Sequence, residues 1–87
     1  MFEVKLYKTA RKSLKKLNAT IQKRIIKALI GLASEPTPNG CKKLKGQNND
    51  VYRIRIGDYR VIYRINNGEL IILVVSIGHR REIYRNY

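Results

Sequence analysis

With 87 residues the chain has room for one domain, residues 1–87, since independent domains run from roughly 50 to 250 residues, so a single site must carry the function. Apolar residues make up 44% of it, enough for a compact core, while 19 Lys and Arg against 6 Asp and Glu leave a net charge of +13, which calls for an anionic partner: nucleic acid, an acidic protein or a charged membrane surface. One cysteine, one histidine and scattered acids rule out an intramolecular disulfide and a His/Cys cluster of metal-ligand spacing, so neither metal nor cofactor is expected.

In chain order, Phe2, Val4 and Leu6 alternate with Glu3, Lys5 and Tyr7, the period of a half-buried strand. Thr9 is placed to cap a short helix from Ala10 to Leu17, anchored by Leu14 and Leu17 and carrying Arg11, Lys12, Lys15 and Lys16 outward. Asn18 breaks it. Thr20 opens a longer helix in which Ile21, Ile25, Ala28, Leu29 and Leu32 fall on one face. Glu35-Pro36-Thr37-Pro38-Asn39-Gly40 ends it, because proline disfavours helical geometry in the preceding residue and asparagine-glycine favours a turn.

The second half reads as strands over Val51 to Ile56, Tyr59 to Ile65 and Leu70 to Ile77, separated by Gly57-Asp58 and by Asn66-Asn67-Gly68. The last strand is apolar on both faces, so it belongs inside the sheet, flanked by the first strand. The fold expected is α+β: an N-terminal strand, then two helices on one face of a small, mainly antiparallel sheet ending in a three-stranded meander. The start, Met1-Phe2-Glu3-Val4-Lys5, has no long apolar stretch, and the run Leu70 to Val75 is too short to span a bilayer. A soluble, cytoplasmic protein without a membrane partner is expected.

A two-residue turn at Gly57-Asp58 sets Ile56 opposite Tyr59, Arg55 opposite Arg60, Ile54 opposite Val61 and Tyr52 opposite Tyr63. One face then receives the apolar and tyrosine side chains, which the helices can cover. The other receives Arg53, Arg55, Arg60 and Arg64. Like charges directly opposite on a sheet are destabilising by about 0.2–1 kcal/mol, so Arg55 against Arg60 needs a reason. A phosphate or carboxylate between them supplies one, since guanidinium matches both with paired hydrogen bonds. A solvated basic edge is the plainer alternative. His79, Arg80, Arg81 and Tyr84 follow the last strand and can turn back across the arginines, or Ile83 and Tyr84 can simply pack on the core.

Lys43-Leu44-Lys45-Gly46, Tyr52-Arg53-Ile54-Arg55, the run Gly57 to Tyr63 and the run Val75 to Tyr84, in that order on this strand pattern, resemble the RelE branch of the RelE/ParE toxin superfamily over nearly the whole chain. The resemblance implies a RelE-like fold and a toxin of a type II toxin-antitoxin system, an endoribonuclease that cuts messenger RNA. Carried over by position, its site comprises Arg53, Arg55, Arg60, Arg80 and Tyr84, with Lys45 as a basic loop residue touching ribosomal RNA and Lys42, Lys43 and Arg81 thickening that patch. Some relatives have lysines where this chain has Arg53 and Arg55. Lysine can act as a base, whereas arginine stays protonated at any ordinary pH, so Arg55 is not expected to remove a proton.

The chemistry implied is metal-independent: the RNA 2′-hydroxyl attacks the adjacent phosphate, with Arg55 and Arg60 stabilising the charge on the phosphorane. His79 and Tyr84 are the nearby groups able to exchange a proton, Tyr84 being equally suited to stacking on a base, and Arg80 resembles the residue acting on the leaving group. Dependence on the ribosome, an acidic RelB-like antitoxin covering the basic face, and operator DNA contacted only through the toxin-antitoxin complex are further implications of the resemblance. The rival readings are a ParE-like toxin that poisons gyrase and a basic domain that binds nucleic acid without cutting it.

Overall fold

The computed structural model describes residues 1–44 and 50–81. Lys45 and Tyr84, both named above, lie outside them. The elements are β1 (Glu3–Leu6), α1 (Lys8–Lys15), α2 (Ala19–Ser34), β2 (Lys42–Lys43), β3 (Val51–Ile56), β4 (Tyr59–Asn66) and β5 (Ile71–His79). They form one five-stranded sheet in the order β1-β5-β4-β3-β2, with β1 parallel to β5 and every other pair antiparallel. The α+β architecture is the one expected, with β5 inside the sheet beside β1.

Differences lie at the ends of elements. α1 starts two residues before Ala10, and its N-cap Tyr7 gives no side-chain cap, so Thr9 is inside the helix instead of capping it. Asn18, expected only to stop α1, accepts a 3.0 Å hydrogen bond from the Ile21 amide and starts α2. β5 begins at Ile71 because Leu70 adopts a left-handed backbone (φ 56°) and finishes a turn in which the Asn66 side chain bonds both the amide and the carboxylate of Glu69. The two-residue strand β2 was not anticipated. It pairs Lys42 with Arg53 and Lys43 with Tyr52.

Both helices cover one sheet face. Ala10 of α1 and Ile25, Leu29 and Leu32 of α2 are buried against Ile54, Ile56, Val61, Tyr63, Ile72, Val74 and Ile77. Tyr63, fully buried, stacks with Tyr52 at 5.9 Å and donates a 2.7 Å hydrogen bond to the Pro36 carbonyl. That bond ties the proline loop to the sheet. Burial, and then the neighbouring Cys41, push the Tyr63 hydroxyl well above its ordinary pKa.

β5 contains one irregularity. Tyr63 pairs with Val74 but Ile62 pairs with Ser76, so Val75 is an extra residue on β5, the signature of a bulge. Beyond it the alternation is inverted. Ile72, Val74 and Ile77 all face the helices, and Val75 joins Val51, Ile62 and Leu44 in a small apolar cluster on the opposite face.

Candidate anion-binding face

The β3–β4 pairing is the register expected from the turn: Ile56 opposite Tyr59, Arg55 opposite Arg60, Ile54 opposite Val61, Tyr52 opposite Tyr63. Gly57 has a positive φ of 60° and Asp58 does not, which defines a type II′ turn, a form whose twist suits a hairpin. A two-residue turn is closed by a hydrogen-bonded pair, here Ile56 and Tyr59, and such pairs alternate with non-hydrogen-bonded ones. Arg55 and Arg60 are therefore a non-hydrogen-bonded pair, the type whose Cα atoms approach most closely, to about 4.5 Å.

The helix-free face is thus lined by Arg53 and Arg55 from β3, Arg60 and Arg64 from β4, and Lys42 from β2 opposite Arg53. Arg53 and Arg60 are only 8% and 9% exposed, low values for charged side chains. Arg60 Nη1 leans back toward the hairpin turn, donating to the Gly57 and Tyr59 carbonyls at 3.4 and 3.3 Å. Its buried Nε has no hydrogen-bond partner among the described residues.

Arg64 differs. It sits 3.8 Å from the Asp50 carboxylate, the one ion pair among the described residues. Toward the turn, Arg55 and Arg60 form no ion pair among the described residues. A cleft of about 580 Å³ opens along the β3 edge there, lined by Arg53, Ile54 and Arg55 on one side and by Ala28, Gly31 and Glu35 on the other. Among the described residues no three His, Cys, Asp or Glu side chains are grouped to hold a metal ion, and no helix is long and apolar enough to cross a membrane.

The structure brings Arg53, Arg55, Arg60 and Lys42 together on this face. Lys43, opposite Tyr52, belongs to the other side of the edge strand. Arg80 and Arg81 are exposed just past β5, and the Arg80 amide donates a 2.9 Å hydrogen bond to the Asp58 carbonyl, holding the start of the tail at the hairpin turn. His79 is placed apart from the arginines. It pairs with Tyr59, the two rings meeting edge to face at 5.6 Å, on the side of the sheet that α1 covers. Unbroken alternation from Val74 would have put His79 on the arginine face, and the extra residue Val75 turns it away. The Arg81 amide donates to His79 Nδ1 at 3.2 Å, so the neutral ring carries its proton on Nε2 and presents a donor.

Residues 4–84 match the family described as the ParE toxin of the type II toxin-antitoxin system parDE. Toxin RelG of Mycobacterium tuberculosis is 32% identical over 97% of this chain and 97% of its own length. The mRNA interferase toxin RelE of Escherichia coli K12 is 29% identical over 86% of this chain and 81% of its own. The archaeal RelE in the crystal structure of its complex with RelB from Pyrococcus horikoshii OT3 superposes with a TM-score of 0.83 at 33% identity, covering 93% of this chain and 97% of that one.

Proposed function

Given that the chain belongs to the RelE/ParE superfamily of type II toxin-antitoxin toxins and is of the RelE type, we propose that it is a metal-independent endoribonuclease acting on messenger RNA at the ribosome. The observation that carries this is the Arg55–Arg60 pair: two guanidinium groups held side by side on adjacent strands, with no carboxylate between them among the described residues. Such a pair is destabilising in the free protein and is relieved by an anion. The relatives named as mRNA interferases and RelE supply the class of anion, a phosphodiester.

In the reaction the 2′-oxygen bonds to phosphorus while its proton passes to a base. The bond to the 5′-oxygen then breaks and that oxygen takes up a proton, leaving a 2′,3′-cyclic phosphate and a 5′-hydroxyl. Arg55 and Arg60, already in place, bear on the non-bridging oxygens as charge builds there, a kind of preorganised stabilisation that accounts for about 10²–10³ in rate per donor in well-studied enzymes. Arg53 extends the cationic cradle toward β2, where Lys42 continues it. Arg80, anchored at the hairpin turn, is near enough in the fold to serve the leaving oxygen. None of these arginines can accept the 2′-proton. Tyr84 in the tail is the remaining protein candidate for that step, or for stacking on a base, and ribosomal RNA positions the message against Lys45 and its neighbours.

The partner proposed is an acidic antitoxin of the RelB kind, the type of protein bound to the RelE chain in the Pyrococcus horikoshii complex. Complementary charge would speed its capture of a +13 toxin. The test is to map messenger 5′ ends after brief expression, with and without ribosomes, for the wild type and Arg60→Ala. Cuts that need ribosomes and disappear in the variant support the reading. Intact messages with inhibited gyrase would replace it by the ParE activity.

A further inference from the structure

The end of the sheet that carries the arginines has a second recess on its other face. Ser13, Lys16 and Leu17 from the end of α1, with Tyr59 and His79 from paired strand ends, enclose a cleft of about 420 Å³ over Ile77. Its polar groups are donors. Lys16 offers an ammonium, Ser13 a hydroxyl, and His79 its Nε2–H, since Nδ1 is taken by the Arg81 amide. No acidic side chain is among its lining residues.

The carbonyls that end α1, which would repel an anion, are already engaged. Those of Ser13 and Leu14 accept from the Lys16 and Leu17 amides, and those of Lys15 and Leu17 accept from the Gln22 side chain. The half-buried Tyr59 and His79 rings add an aromatic wall. Among the described residues the Gly57-Asp58 turn lies between this cleft and the arginine face. Arg60 bonds the Gly57 carbonyl, and the Arg24 guanidinium of α2 lies 3.5 Å from where a Gly57 Cβ would be. A single strand leaving Arg60 thus crosses one tight turn, with a cation on either side, before reaching a donor-lined aromatic recess.

We propose that this cleft is a nucleotide subsite for the RNA flanking the cut, Tyr59 and His79 receiving a base and Lys16, Ser13 and the His79 Nε2–H holding its phosphate. The proposal rests on the reading of the arginine face as an RNA-cutting site. Aromatic stacking and phosphate pairing are additive, sequence-tolerant ways of gripping a single strand. They make affinity depend on RNA length.

The test uses the full chain and oligoribonucleotides carrying one 2′-O-methyl group to block cleavage: a short one spanning the arginine face and one lengthened by two nucleotides on each side. The longer RNA should bind about tenfold or more tightly. Lys16→Ala, at an exposed position, should remove most of that gain and reduce the slope of log affinity against log salt by about 0.7, the value of one single-strand phosphate contact. The His79 ring signals in NMR should shift saturably with uridine monophosphate and less with inorganic phosphate.

No gain with length, equal weakening of short and long RNA by Lys16→Ala, or unmoved His79 signals would each overturn the subsite. Equal responses to phosphate and nucleotide would reduce it to a bare anion site and overturn it as well. Cleavage of ribosome-bound messenger RNA by the wild-type chain, assayed in parallel, separates the two readings. If cutting persists while the length effect is missing, only the subsite falls, whereas absent cutting removes the nuclease reading itself.

Discussion

Replacing Arg55 with glutamate should make the free protein more stable while destroying its activity. Arg55 and Arg60 occupy a non-hydrogen-bonded cross-strand pair, where opposite side chains interact most strongly. The substitution removes a repulsion of about 0.2–1 kcal/mol and adds an attraction of about the same size, a net gain of about 0.4–2 kcal/mol. In a domain of 60–100 residues each kcal/mol moves Tm by about 4–8 °C, so calorimetry can resolve it. The gain should shrink as salt is added, because Arg55 is exposed and its field is screened. Cleavage should fall by at least ~10²-fold, since a donor to the phosphorane has become an anion. Arg55→Glu combined with Arg60→Glu restores a like-charge pair and should lose the added stability. A single Arg55→Glu variant that melts at or below the wild-type temperature at low salt would mean the two guanidinium groups do not confront each other, and the argument for an anion between them would fail.

Three further outcomes follow from the scaffold. Tyr63→Phe should cost about 0.5–1.5 kcal/mol through loss of the bond to the Pro36 carbonyl. Because the native hydroxyl titrates above its unfolded value, its contribution is whole below the ordinary tyrosine pKa of about 10 and declines as pH rises beyond it. Urea titrations at increasing alkalinity should show wild type and Tyr63→Phe converging, and a constant difference would contradict the assignment. Asn18→Ala removes the α2 cap and should cost about 0.5–2 kcal/mol in chemical denaturation, with cleavage per folded molecule unchanged. Gly57→Ala forces a side chain into a left-handed turn position at a cost of about 1–2 kcal/mol. The new Cβ would meet the Arg24 guanidinium only at an ordinary 3.5 Å contact, so the cost is one of backbone conformation, and its melting temperature should fall by more than that of Gly31→Ala, a helical position with no positive φ.

The Arg55–Arg60 pair carries an electrostatic cost that no ion pair among the described residues relieves. Arg64 has Asp50 beside it, whereas Arg55 and Arg60 form no ion pair among the described residues. Because net self-repulsion destabilises a compact state, an acidic partner should raise the melting temperature as well as silence the site, an effect that grows with partner concentration.

The register of the arginine face was legible in the amino-acid order alone, because side chains on a strand alternate strictly and one face of the sheet must be buried. Once Gly57-Asp58 is read as a two-residue turn, any slip by one residue would bury Arg55 and expose Ile54. The helical faces were legible for the same reason, Ile25, Leu29 and Leu32 having nowhere else to go. What only the tertiary structure decided is where alternation fails and which distant segments meet. The parallel direction of β1 along β5, the two-residue strand β2 and the Asp50–Arg64 contact are features that no local pattern fixes. The extra residue at Val75 was hidden because β5 is apolar on both sides, so a pattern of hydrophobicity looks alike with or without a bulge. That one insertion inverts the strand beyond it and sets His79 beside Tyr59 and α1 instead of among the arginines.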